Sequence, residues 1–141
     1  MKLKIGEHFF SWERPLVMGI LNLTPDSFYD GGSHNNTDDV LRHCEKMLTD
    51  GADIIDIGAF SSRPGSGIIS VEEENSRLLP SLIEIRKRFP ETIISIDTFR
   101  KEVAKNALEN GADIINDISG GIFDEEMLPF IGENHIPYIM M

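Results

Sequence analysis

Two stretches sixty residues apart repeat one short text: Asp50 to Ile57 reads DGADIIDI, and Asn110 to Ile118 reads NGADIINDI. In each copy a glycine follows a helical stretch, where a left-handed cap costs glycine least, and a short apolar run then ends on a polar residue. This is the junction from a helix into a buried strand, and its recurrence points to a fold built from one repeated unit. Similar β-branched or apolar runs occur at Leu16 to Leu21, Ile54 to Ile57, Ile93 to Ile96, Ile114 to Ile115 and Tyr138 to Met140, which predicts five strands covered on both faces.

Helical spacing lies between the runs. Thr37 to Asp50 carries Val40, Cys44, Met47 and Leu48; Val71 to Phe89 carries Leu78, Leu82, Ile85 and Phe89; Arg100 to Asn110 carries Val103, Ala104, Ala107 and Leu108. Ser70 and Glu73 have the spacing of a capping box, and Pro80 is expected to kink the helix that follows. Asp124 to Glu133 opens on an acidic cap but contains Pro129, which unsettles its first turns. Regular strand and helix alternation implies parallel strands with right-handed crossovers, either a closed barrel or an open doubly wound sheet. Lys2 to Trp12 reads as a two-strand flap turning around Gly6 and is expected to cover the floor of a barrel.

A chain of 141 residues is one domain's worth of core, so residues 1–141 are read as a single unit with the flap at 2–12. The formal charge of -11, from 13 basic and 24 acidic residues, excludes a nucleic-acid surface but not a small anionic substrate held by one arginine and a few amides. Cys44 is the only cysteine, which rules out an intrachain disulfide and suits a reducing cytoplasm; its apolar helical setting makes it a buried, inert thiol. The first residues break every apolar run with a charge before signal-peptide length, and no segment reads as a membrane span. The histidines at 8, 34, 43 and 135 show no metal-ligand spacing.

In either parallel architecture the ligand is held by the loops that follow the strands, so the polar residues closing each run are site candidates. They are Asn22, Asp56, Asp97 and Asn116, with Met140 closing the fifth. Each taken singly also suits a turn or a helix cap. The first loop frames Asp26, Phe28, Tyr29 and Asp30 between Pro25 and the Gly31-Gly32 pair, as a lid would. The second, Phe60 to Ile69, offers Ser61, Ser62, Arg63, Pro64 and Gly65 ahead of a helix start, where a phosphate fits.

At these residues a family resemblance enters. MGILNLTPDSFYDGG, Met18 to Gly32, resembles the signature of the dihydropteroate synthases, and the likeness continues through DIGAFSSRPGS, ISIDTFR and INDISGG in family order. The resemblance implies a (β/α)8 TIM-type barrel of which the first five strands are present. It implies an enzyme of folate biosynthesis that joins 6-hydroxymethyl-7,8-dihydropterin diphosphate to para-aminobenzoate, releasing diphosphate, with magnesium present. Carried over by motif, Asn22 would ligate the magnesium, and Asp97 and Asn116 would bind the pterin edge. Ser62 and Arg63 would meet the diphosphate or the substrate carboxylate. Asp30 would close over the developing cation, with Arg63 as the other catalytic group, and Phe28 and Pro64 would line the aminobenzoate slot where the family's sulfonamides compete.

Two departures accompany the likeness. Phe60 stands where many members carry an acidic residue, and the chain closes at Met141, whereas the family continues through three more strands bearing an aspartate, a lysine and an arginine and histidine pair. The expectation is a fragment that is inactive alone and self-associates through unpaired strand edges, or forms homo-oligomers. A non-catalytic pterin-binding or partner-pairing module is the alternative. A pterin-binding methyltransferase is the third reading, against which the Asn22 to Asp30 loop speaks.

Overall fold

The computed structural model describes residues 2–5, 8–11, 13–23, 34–60 and 69–141. The elements run β1 (Lys2–Ile5), β2 (His8–Ser11), β3 (Met18–Asn22), α1 (His34–Thr49), β4 (Ile54–Gly58), α2 (Val71–Arg88), β5 (Ile93–Asp97), α3 (Lys101–Glu109), β6 (Ile114–Asp117), α4 (Met127–Glu133) and β7 (Tyr138–Met140). The hairpin β1-β2 is antiparallel; the other five strands form one parallel sheet in the order β3-β4-β5-β6-β7, each separated from the next by a helix. Five parallel strands with intervening helices are what the alternation predicts.

Both copies of the repeat fold alike. Gly51 and Gly111 sit at φ 107° and 101°, in the left-handed region that glycine tolerates. After each, an alanine amide returns to the helix, Ala52 to the Met47 carbonyl at 2.9 Å and Ala112 to that of Ala107 at 3.0 Å. The aspartate that follows clamps the preceding strand. Asp53 Oδ2 accepts the Val17 amide at 2.9 Å, and Asp113 Oδ2 accepts the Ile94 amide at 2.9 Å. Each clamp carries an arginine: Arg14 on Asp53, and Arg86 on Asp113, with Arg86 also donating to the Gly111, Pro90 and Thr92 carbonyls. Arg14 and the Val17 amide hold the Asp53 carboxyl down at about 2.

The register stacks side chains in rows. Leu21, Ile57, Ile96, Ile115 and Tyr138 stand side by side on the helix-facing surface, above a second row of Gly19, Ile55 and Ile94. The isoleucines and Leu21 of these rows pack with Val40, Cys44, Leu78, Leu82, Ile85, Val103, Ala104 and Ala107 of the helices. Each large side chain buried this way contributes about 1.5–3 kcal/mol. Cys44 is fully buried, and burial pushes its thiol up to about 12, the inert state expected of it. On the opposite face Ile54, Ile93 and Ile114 form a smaller cluster with Ile5 of the hairpin, flanked by Leu16, Met18 and Ile139. Ile5 of the hairpin thus packs at the strands' beginnings; Gly6 itself lies outside the described residues.

Several boundaries differ from expectation. β3 begins at Met18, because the Val17 amide is taken by Asp53, and it runs through Asn22. β4 continues to Gly58, so Asp56 is inside a strand and one row deeper than a strand-end position. α2 ends at Arg88, one residue before the expected Phe89, with Pro80 inside it as expected. α4 starts only at Met127, which makes Pro129 its third residue, where the missing amide has no intrahelical partner to lose. Ser70 caps α2 by accepting the Glu73 amide at 3.2 Å, while the Glu73 carboxylate pairs with Arg77 instead of returning to the cap.

Candidate active site

On the inner face, the topmost row of the sheet reads Asn22, Gly58, Asp97, Asn116 and Ile139 across the five strands. The strand periodicity of two keeps all of them on one face, and the shared row keeps them at one height. Gly58 gives the row its opening. A Cβ there would stand 3.4 Å from Asp97 Oδ2 and 3.6 Å from Asn22 Oδ1, so those two oxygens flank a bare Cα. Three of the residues expected at a shared rim, Asn22, Asp97 and Asn116, are therefore brought together. Phe28, Asp30, Ser62, Arg63 and Pro64 lie outside the described residues.

The row below reads Ile20, Asp56, Ser95 and Ile114. Asn116 reaches down into it and donates Nδ2 to Asp56 Oδ2 at 3.2 Å. Both residues are buried, and Asp56 Oδ1 and Asn116 Oδ1 meet no hydrogen-bond partner among the described residues. Burial raises the Asp56 carboxyl above its ordinary range, opposed by the Ser95 hydroxyl and the Asn116 amide. Ser95 lies near enough to ease that charge without meeting Asp56 at hydrogen-bonding geometry. Buried polar atoms left without partners are rare and call for a ligand or a functional reason.

Asp97 is pushed up to about 6, first by burial and then by the charges of Asp56, Glu74 and Asp117. A carboxyl whose charge is this costly gains from any ligand that offers it N–H donors, since hydrogen bonds to the charged form favour ionisation.

The surrounding supports escaped sequence reasoning. Glu74 of α2, with only 2% of its side chain exposed, pairs with Arg100 and accepts the Thr98 hydroxyl at 2.8 Å. Arg100 also donates to the Ile69 carbonyl at 2.6 Å, tying the last residue of the second loop to the end of β5. A signal existed: Glu74 occupies the same helical stripe as Leu78, Leu82 and Ile85, and a charge on a core stripe demands a partner. Asp117 is the second support. Facing away from Asn116 by strand alternation, it accepts the Ser119 amide at 2.7 Å, the Gly121 amide at 3.0 Å and the Tyr138 hydroxyl at 2.7 Å, so that it organises the loop after β6. Burial and the Asp117 carboxylate together hold the Tyr138 phenol above its usual range. Phe60 meets Phe99 edge-on at 5.6 Å, and Phe99 meets Phe123 likewise at 5.4 Å, linking the residues that follow three successive strands.

Among the described residues no cluster of three or more His, Cys, Asp or Glu side chains could hold a metal, and no helix is long and apolar enough to cross a membrane. Of the row's oxygens, Asn22 Oδ1 belongs to the residue exposed at the rim, and Asp97 Oδ2 stands across the Gly58 Cα from it. This suits an ion that takes most of its ligands from water and a substrate's phosphates.

Comparison with known proteins places this geometry. Residues 18–141 match the family model of pterin binding enzymes. The chain is 44% identical to the dihydropteroate synthase of Streptococcus pyogenes serotype M1, over 99% of its own length and 52% of the relative's. It is 46% identical to a folate synthesis bifunctional protein of Arabidopsis thaliana, over 99% of its length and 29% of the relative's. The solved dihydropteroate synthase of Xanthomonas albilineans with 4-aminobenzoic acid superposes with a TM-score of 0.88 at 35% identity, covering 99% of this chain and 51% of that one. The five parallel strands and their four intervening helices are thus about half of a TIM-type barrel, and the chain spans about half the length of the synthases it matches. It belongs to the pterin binding enzymes, and the relatives it resembles within them are dihydropteroate synthases.

Proposed function

We propose that the chain carries the pterin- and metal-binding half of a dihydropteroate synthase, the folate-pathway transferase that joins 6-hydroxymethyl-7,8-dihydropterin diphosphate to para-aminobenzoate. The observation that carries this is the single row of Asn22, Gly58, Asp97 and Asn116 on the inner face, with buried, unpartnered oxygens just beneath it. Asp97 accepts two ring N–H groups of the pterin, and Asn116 orients the same edge. Asn22 Oδ1 would hold a magnesium ion, which supplies charge neutralisation to the departing diphosphate. The chain's own residues grip the ring while the bond to that diphosphate breaks, which is catalysis by positioning and electrostatics more than by activating the amine.

Within the same reading, Ser62 and Arg63 meet the diphosphate or the aminobenzoate carboxylate. By the family likeness, Asp30 would close over the developing cation, and Phe28 and Pro64 would line the slot in which sulfonamides compete. The single, buried Cys44 fits a reducing cytoplasm, and the strands at the two sides of the sheet, β3 and β7, are where self-association would occur. The test is calorimetric titration with the pterin diphosphate, with and without magnesium. Asp97→Ala should abolish pterin binding, Asn22→Ala should remove only the metal dependence, and unchanged binding by Asp97→Ala would sink the assignment. Adding a chain that supplies the other barrel half separates an enzyme from a non-catalytic module, since restored product formation belongs to the enzyme alone.

A further inference from the structure

An asparagine amide is nearly symmetric in shape, so its orientation is decided by its partners alone. For Asn116 the partner is a buried carboxylate. Asp56 Oδ2 lies 3.2 Å from Nδ2, and turning the amide over would set Oδ1 directly against that buried oxygen. Asn116 Oδ1, in a residue only 8% exposed, is left as an acceptor without a partner among the described residues.

Resting on the pterin-binding reading above, we infer that Asp56 is a positioning residue. By accepting the Nδ2 proton it fixes the Asn116 amide with Oδ1 as the free acceptor, and so selects a 2-amino-4-oxopteridine edge over one carrying a carbonyl in place of the amino group. A 2-amino group donates to Oδ1. A 2-oxo group sets two acceptors against each other in a dry site, a mismatch sufficient for discrimination of about tenfold or more. Asp56 touches no ligand in this scheme and acts only through Asn116.

The test compares binding of 6-hydroxymethylpterin and its 2,4-dioxo counterpart, 6-hydroxymethyllumazine, by wild type, Asp56→Leu and Asp56→Asn. Wild type should prefer the pterin by about tenfold or more. Asp56→Leu leaves the amide free to turn and should bring the ratio toward one. Asp56→Asn keeps the volume, but its amide can turn to offer Asn116 either an oxygen or a proton, so the preference should fall between those of wild type and Asp56→Leu, whereas a general loss of packing would weaken both ligands alike. A wild-type ratio retained by Asp56→Leu overturns the inference while leaving the pterin reading in place; binding of neither compound by wild type overturns that reading itself. Side-chain amide NMR decides the positioning step even if Asp56→Leu does not fold. One Asn116 Nδ2 proton in wild type should exchange slowly with solvent, and rapid exchange of both would refute it.

Discussion

Asp97 and Asn22 face each other across the Cα of Gly58, their oxygens 3.4 Å and 3.6 Å from where a Cβ would stand. Both distances are ordinary van der Waals contacts, so the backbone has room for alanine while the gap between the two side chains does not. Gly58→Ala should leave the unfolding midpoint within about 1 kcal/mol of wild type, because a strand interior favours alanine over glycine. It should weaken magnesium-dependent binding of the pterin diphosphate by about tenfold or more. Calorimetric titration with and without magnesium, beside a thermal melt, checks both halves; full binding by the variant would show that the gap is not occupied.

The Asp97 carboxyl titrates near 6 in the folded protein against an ordinary 3.8. Its folded value is the higher one, so between about pH 4 and 6 the native state holds a proton that the unfolded chain has released, and stability falls as pH rises through that window. Discounted for partial solvent exposure, the cost at neutral pH is about 1–2 kcal/mol. Asp97→Asn should therefore be more stable than wild type at pH 7, equal to it near pH 4, and defective in pterin binding. Asp53 has the opposite sign: held at about 2, it contributes stability above about pH 4 that is lost as the pH falls through 2. Urea unfolding at several pH values separates the two slopes.

Arg100 and Glu74 form an ion pair with 13% and 2% of their side chains exposed. Removing one partner strands a buried charge, so Arg100→Met should cost about 3 kcal/mol or more. Adding Glu74→Leu to that variant should recover most of the loss, since apolar replacements for a buried pair are often neutral or better. If the double variant is no more stable than Arg100→Met in urea, the pair's contribution is not desolvation-limited and this account fails.

The two arginine clamps differ in depth: Arg86 is 24% exposed and Arg14 63%. Arg86 satisfies three backbone carbonyls as well as Asp113. Arg86→Ala should cost about 2–3 kcal/mol through those unpaired groups, and Arg14→Ala should shift the midpoint far less. Equal shifts would mean that the repeat's two junctions are energetically alike despite their burial.

The repeat DGADIIDI and NGADIINDI was legible because glycine caps and apolar runs are local signals, and β4 and β6 form where the text recurs. The site was legible in part for the same reason. Asn22, Asp97 and Asn116 each close an apolar run, which marked them as candidates. What could not be read was the register, which puts these three in one row with Gly58 and sets Asp56 a row deeper, since register follows from pairing between distant strands. The Glu74 to Arg100 pair spans 26 residues and Asp117 to Tyr138 spans 21, and no local pattern announces a partner at such a distance. Pro129 put the first turns of a helix from Asp124 in doubt, and α4 begins only at Met127; where a helix starts is the boundary that sequence defines least sharply.

The inner face changes character along the strands, from the Ile5, Ile54, Ile93 and Ile114 cluster at one end to the Asn22, Asp97 and Asn116 row at the other. Each strand is therefore a short axis of rising polarity. Mutational tolerance divides along that axis: changes at the first residues register in folding, and changes at the last register in what is bound. Variation in ligand preference can accumulate at one end of the sheet without disturbing the anchorage at the other.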